Sequence, residues 1–397
     1  MFVITAAPSN PPDRLVRRPR RRTVVLLPVV GMIALGVCGL VLLGVATDRV
    51  GLAAVLVGAA AAALPVGPVV GTFLWIDRWE PEPPKLMLLA FLWGACVATI
   101  TSLLLNDSAQ VLADAVLGAD GGDTVKAVVA APFVEEATKG VFVVALLWKW
   151  RQEFDGLVDG VVYAGLTAAG FAFTENIFYF GRAFSEGGFG GMSQGVVAVF
   201  VLRGVLAPFA HPLFTVMTGL GVGVAAAARS RSARWLAPLL GYLLAVVLHA
   251  LWNGSATLGS GAVFINFYFL VMVPIFGGTA ALVVWQRRRE QRILAAQLPG
   301  FAERGWIPSS EVALLGSLPS RRAWRRAVRR RGGDVAARAV AAYQSTATEL
   351  AFLRHRVDRG TTGTEAERRQ EELLAALREA RAVVVASTTA SRGHATA

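Results

Sequence analysis

Apolar blocks of about twenty residues or more alternate along the chain with short charged segments. A bilayer core takes roughly 20 apolar helical residues to cross. The pattern therefore predicts spans near Thr23–Ala46, Gly51–Trp75, Leu86–Leu105 and Val125–Trp148, then Leu157–Phe180, Val197–Ala228, Leu236–Leu258 and Val263–Trp285. None of the blocks shows the short apolar–polar alternation of a barrel strand. Backbone groups in lipid must find partners within their own segment, so the elements are helices. The predicted fold class is an all-α polytopic membrane protein with about eight transmembrane helices and a C-terminal cytoplasmic helical tail.

Composition supports this and charge orients it. The chain is 55% hydrophobic and 17% charged, where a soluble domain carries about a quarter charged residues. The first block follows an arm with Arg14, Arg17, Arg18 and Arg20 to Arg22. That arm resembles a signal-peptide n-region, but the block is longer than a signal's apolar core, so a retained span is expected. Lys and Arg gather in alternate loops: Arg78 with Lys85, Lys149 with Arg151, Arg229 with Arg231 and Arg234, and Arg287 to Arg289. The segment Asn106–Asp123 is acidic and reads as an outer loop. The positive-inside bias then places both termini in the cytoplasm of a multi-pass cell-membrane protein.

The expected organisation is a basic cytoplasmic arm (1–22), a membrane unit (23–285) and a basic helical tail (286–397). After Trp285 there are 21 arginines against 11 acidic residues, so most of the net charge of +12 belongs to the tail. Gly332-Gly333 and the stretch Gly360 to Gly363 divide the tail into about three helical pieces. Ser320–Arg331 sets Trp324 among seven arginines. The expectation is a helix on anionic lipid headgroups of the inner leaflet; no nucleic-acid motif is present, and no nucleic-acid partner is expected. Cys38 and Cys96 both lie in apolar blocks, with no CxxC pattern or disulfide framework.

Ionisable groups inside spans are costly and mark function by default. Here they are Glu135, Glu136 and Lys139 in span four, Glu175 beside Asn176 in span five, Arg203 and His211 in span six, and His249 with Asn253 in span seven. At 1.5 Å per residue, the glutamate pair lies roughly 15 Å below the outer end of its span, Glu175 roughly 8 Å, and the histidines roughly 14–20 Å. The four spans thus bring their polar groups to one layer. Structural readings stand beside this. Glu135 and Lys139 at i, i+4 form an ion pair on one helical face, but that leaves the adjacent Glu136 in need of another partner. Glu175 or either histidine could bond a neighbouring helix, and Arg203 could snorkel to the interface.

The set suits hydrolysis. A buried carboxylate can act as general base towards water, with histidine and asparagine donating to the developing oxyanion. Alternatively His211, His249 and Glu175 form a three-ligand zinc site with an open position. No Ser–His or Ser–Lys pair and no HExxH helix accompanies them. Inverted repeats, which a transporter would favour, are absent, and Pro208 and Pro212 in span six are the only sign of a broken helix.

In these segments the chain resembles the PrsW family of bacterial intramembrane proteases: DRWEPEPP at Asp77–Pro84, EExxK at Glu135–Lys139, DGLVDGVVYAGLTAAGFAFTEN at Asp155–Asn176, HPLFT from His211 and HALWNG at His249–Gly254. The family is similar to the type II CaaX prenyl proteases and bacteriocin-processing proteins, whose second motif typically carries a histidine where this chain has Glu175. The resemblance implies catalytic roles for Glu135 and Glu136, with Glu135 the better candidate for water activation. It implies ligand or oxyanion roles for His211 and His249, assistance from Asn253, and a membrane-anchored substrate such as an anti-sigma factor. CaaX-like processing of a peptide terminus is the alternative reaction, and a non-enzymatic transporter or scaffold with a polar core is the alternative class. Pro212 directly after His211 departs from the family pattern and is expected to kink its span.

Overall fold

The computed structural model describes residues 23–79, 81–150, 154, 156–192, 194–359 and 366–393. The arginine-rich arm and the Gly360 to Gly363 break lie outside the described residues. The first helices are α1 (Thr23–Val50), α2 (Leu52–Ile76), α3 (Pro84–Leu117) and α4 (119–149). They are followed by α5 (Leu157–Gly187), α6 (Gly195–Ala227), α7 (Arg231–Thr257) and α8 (Gly261–Glu303). The tail adds α9 (Ser309–Leu315), α10 (Leu318–Asp358) and α11 (Ala366–Gly393). Among the described residues the only β pairing is one isolated bridge, Gly191 to Gln194. The protein is an all-α, multi-pass membrane protein.

Seven helices, α1 to α3 and α5 to α8, are long and apolar enough to cross a bilayer. The remaining predicted span, α4, carries Glu135, Glu136 and Lys139, and all three are buried within the bundle. Its charges face protein rather than lipid, as burial of ionisable groups in a membrane demands. The acidic segment expected as a loop is helical instead. α3 runs on through Leu117 and α4 starts at residue 119, so Asn106 is buried inside the bundle. At that end Asp107 bridges Arg49 and Lys126 at 2.8 and 2.6 Å.

α5 is the central helix, packed by α2, by α3 and by the second half of α6. Its run of glycine and alanine explains why. A Cβ on Gly160 would stand 2.1 Å from the Gly219 carbonyl oxygen of α6, and one on Gly94 would stand 1.8 Å from the Thr167 carbonyl oxygen of α5. Small residues let helix backbones touch where lipid provides no hydrophobic drive for association. Phe142, Val143, Leu146, Tyr163 and Phe214 fill the remaining core.

Four spans contain a π turn: Trp93–Ala98 in α3, Lys126–Ala130 in α4, Val201–Leu206 in α6 and Tyr268–Met272 in α8. A π turn releases a carbonyl from the α-helical ladder, and within a membrane that carbonyl needs another donor. Thr174 donates to the Ala95 carbonyl (2.8 Å), Asn253 to the Ala127 carbonyl (2.8 Å) and Tyr268 to the Leu206 carbonyl (2.7 Å). α6 also breaks outright at residues 207–209, around Pro208. The helix restarts at Ala210, which places Pro212 in its first turn. Proline is tolerated there because the first N–H groups lack intrahelical partners, so the interruption expected at Pro212 falls before His211.

The tail is a helical bundle with its own core of Leu294, Leu298, Phe301, Leu315, Tyr343 and Leu350. Its helices differ from the expectation in two ways. α8 continues past Trp285 to Glu303, carrying the last span directly into the bundle. One of the seven arginines around Trp324, Arg321, is buried, donating to the Leu315 carbonyl (2.7 Å) and to Thr348 Oγ1 (2.8 Å). Gly333, at φ 71°, marks the bend within α10, where the sequence places its glycine pair.

Candidate active site

The first turn after the π turn of α4 presents Glu135, Glu136 and Lys139, three and four residues apart on one face. Glu136 is completely enclosed, and every group around it is a donor. Lys139 Nζ lies 2.6 Å from Oε1, His249 Nδ1 lies 3.0 Å from the same oxygen, and Thr215 Oγ1 donates to Oε2 at 2.8 Å. The ion pair expected between Glu135 and Lys139 is present but long, with Glu135 Oε2 at 3.9 Å from the ammonium, and the short pair is the one made with Glu136. Phe171 covers Lys139, its ring centroid 4.3 Å from Nζ.

Glu135 is bonded differently. Asn106 Nδ2 approaches Oε1 at 3.4 Å, while Oε2 is buried with no hydrogen-bond partner. An orphaned buried carboxylate oxygen is costly and calls for a partner not supplied by the chain. His249 Nε2 is 3.9 Å from it. Phe214 stacks on the His249 ring at 4.9 Å between centroids, and the rings of His211 and His249 stand edge to face at 5.2 Å.

His211 begins the second half of α6, where the break turns it into the bundle. Its Nε2 is 2.8 Å from Glu175 Oε2 and its Nδ1 is 3.5 Å from Lys139 Nζ. Glu175 in turn is held by Arg203 Nη2, whose Nε donates to Asn176 Oδ1 at 2.7 Å and whose guanidinium lies over Tyr179 at 3.8 Å. Arg203 therefore does not snorkel: it braces Glu175 and, through it, His211.

Glu135, His211 and His249 each offer one donor atom, all within 4.8 Å of one another. The donor set fits a divalent metal. Two imidazole nitrogens and one carboxylate oxygen are a familiar catalytic zinc set. His249 has its other nitrogen fixed by a carboxylate, Glu136, as metal-bound histidines generally do. The carboxylate of this group is Glu135. Glu175, the carboxylate expected from the sequence, faces away to Arg203 and His211. Asn253 also stands apart, spent on the Ala127 carbonyl. Thr215 and Asn106 were not singled out from sequence. Thr215 follows His211 by four residues on the same face, a signal that was available. Asn106 is hidden because hydropathy ends its span at Leu105, whereas α3 runs on through Leu117.

A carboxylate–histidine cluster enclosed by spans, with a carboxylate oxygen that lacks a hydrogen-bond partner near two imidazoles, is chemically suited to hydrolysis inside a membrane. Comparison with known proteins narrows the class. Residues 82–279 match the PrsW family intramembrane metalloprotease pattern. The chain is 30% identical over 173 residues to Protease PrsW of Geobacillus kaustophilus (strain HTA426), a match covering 42% of this chain and 67% of that protein. No solved structure matches the chain. The chain belongs to the PrsW family and is an intramembrane protease.

Proposed function

We propose that this protease hydrolyses a peptide bond in a membrane-anchored protein, with Glu135, His211 and His249 as the residues that would hold a zinc ion. The observation that carries this reading is the orphaned Oε2 of Glu135 facing the two histidines. Zinc at such a site polarises a carbonyl and lowers the pKa of bound water. Glu136 Oε1 keeps the His249 proton on Nδ1 and leaves Nε2 with its lone pair towards the site. Glu175 Oε2 does the same for His211 by accepting from Nε2. Lys139 offsets the Glu136 charge, and Phe171 and Phe214 exclude lipid and water from the ion pair.

A second reading has a specific observation behind it. The Lys139 ammonium, 3.5 Å from His211 Nδ1 and 3.9 Å from Glu135 Oε2, already places a positive charge beside the donors. On this reading the reaction needs no metal, and Glu135 Oε2 itself takes the proton from the attacking water. Metal content of purified wild type, Glu135→Gln and His249→Ala, measured beside cleavage of a transmembrane substrate, separates the two. Stoichiometric zinc lost with either substitution supports the metal site. Chelator-insensitive cleavage by metal-free protein, abolished by Glu135→Gln, establishes the glutamate base.

The substrate class proposed is a single-span or lipidated protein, with an anti-sigma factor as the kind the family resemblance implies. The proteolytic unit is proposed to be residues 23–285. By the Lys/Arg bias both termini are cytoplasmic, and the outer arginines around Trp324 rest on anionic lipid of the inner leaflet.

A further inference from the structure

A cavity of about 880 Å³ lies where the tail bundle meets the ends of α2, α5, α6 and α8. It is at the opposite end of the second half of α6 from His211, roughly 24 Å away at 1.5 Å per residue. Seven arginines line it against four carboxylic residues, Asp77, Asp159, Glu290 and Glu372. Three of the four carboxyl groups have local duties. Both oxygens of Asp77 accept from the Glu82 amide, Asp159 accepts from the Gly156 amide, and Glu372 pairs with Arg368 and Arg369. Other arginines are anchored by neutral oxygens: Arg234 Nε on the Ala228 carbonyl (3.1 Å) and Arg289 Nη1 on Gln286 Oε1 (3.5 Å). Such contacts fix the guanidinium in place without cancelling its charge. His355 adds a buried nitrogen, Nε2, with no hydrogen-bond partner among the described residues.

We propose that this cavity binds a phosphate-bearing anion, held by Arg289, Arg356 and Arg359 with His355 donating from Nε2. Guanidinium groups match phosphate oxygens in pairs and keep their charge at every physiological pH. The volume lies within the range of small-molecule sites. His355 senses the local field independently: its pKa is lowered by burial and then by the neighbouring Arg359 and Arg289. A phosphate group would reverse that influence. The anion could arrive as a soluble phosphoester or as a lipid headgroup, since the cavity opens where the spans end. Either source would tie α8 and α10 to the α6–α7 connection, the link between the helices that carry His211 and His249. This site is separate from the arginine face around Trp324, whose cleft is lined by Arg322, Arg325, Arg326, Arg329 and Arg338.

The test uses full-length protein in phosphatidylcholine nanodiscs. Inorganic pyrophosphate is titrated in one arm, and phosphatidic acid is added to the discs in the other, with thermal transition and direct binding of the labelled anion as readouts. One arm or both should give a saturable upward shift, and the arm that responds names the source. Arg289→Ala/Arg359→Ala should weaken binding about tenfold or more, as loss of charge-assisted hydrogen bonds requires, while Arg304→Ala/Arg378→Ala, which line neither this cavity nor the Trp324 cleft, should bind as wild type. If the first double variant does not fold, Arg359→Gln alone, at an exposed position, carries the same expectation. No response in either arm, or equal losses in both double variants, would overturn the proposal.

Discussion

Two adjacent glutamates in one turn of helix sit in opposite environments, and their neighbours make the difference. Glu136 is saturated by Lys139, His249 and Thr215, whereas Glu135 has an oxygen with nothing to accept. On the metal-free reading Glu135→Gln should therefore lower cleavage by about 10²–10⁴-fold, the usual contribution of a proton acceptor, with the melting temperature close to wild type; on the zinc reading the loss of cleavage should come together with loss of bound metal. Glu136→Gln should do the reverse in emphasis. Removing one member of a buried ion pair strands the other, at a cost of about 3–5 kcal/mol, so this variant should melt well below wild type and express poorly. A melting temperature unchanged in Glu136→Gln would show that Lys139 does not depend on it. Arg203 acts one step further out, through Glu175 onto His211. Arg203→Leu is expected to reduce kcat with little change in KM. Arg203→Lys should recover part of the loss, because it keeps the charge beside Glu175 but not the second bond to Asn176.

At the scale of helices, the spans were legible from sequence because hydropathy needs no knowledge of partners. The polar residues that share the site were legible too, because an ionisable group in lipid has few uses. What the sequence did not disclose was where each polar side chain points. Asn253, four residues after His249, reads as a second donor on the same face. The π turn in α4 instead frees the Ala127 carbonyl and takes up the Asn253 amide. A π turn has no hydropathy signature of its own, so that bond could not be foreseen, nor that Glu135 rather than Glu175 keeps a buried oxygen without a hydrogen-bond partner. Arg203 was visible as a charge within a span, but only the broken course of α6 sets it against Glu175. Asn253→Leu consequently tests a structural role. It leaves a carbonyl unpaired inside the bundle, which costs about 1–3 kcal/mol, and should lower the melting temperature. Asn253→Gln, too long for the same bond, should not restore it. Loss of cleavage in Asn253→Leu with an unchanged melting temperature would point back to a direct catalytic role.

The tail bundle is joined to the membrane bundle by the continuous helix α8 and by a second tie at the short connection between α2 and α3. Between α2 and α3, Trp79 leaves the membrane bundle and is buried in the core of the tail bundle, beside Leu294, Leu298 and Tyr343. The turn that aims it is built on Asp77, whose two oxygens accept from the Glu82 amide, while Tyr163 of α5 donates to Glu82 at 2.8 Å. Burial, with Asp159 close by, pushes Glu82 up to about 11, so it remains protonated at neutral pH. Burial likewise raises Asp77 from the ordinary aspartate value to about 7, against the opposing pull of the Glu82 amide. A carboxyl group whose pKa is raised on folding holds its proton more tightly in the folded state. The stability it supports is complete below about pH 4 and declines as pH rises through about 7. The connection between the bundles should accordingly weaken from acid towards neutral pH, and Asp77→Asn, neutral throughout, should make that slope shallower without abolishing it, because Glu82 also holds its proton more tightly in the folded state. Thermal transitions of the two proteins at a series of pH values measure it directly. Trp79→Ala removes the anchor itself, a truncation that costs about 3–5 kcal/mol in a packed core, and should expose the arginine-rich tail to trypsin at any pH. Parallel pH slopes in wild type and Asp77→Asn would mean that Asp77 is not the group that titrates at this junction, whatever Trp79→Ala does to the tail.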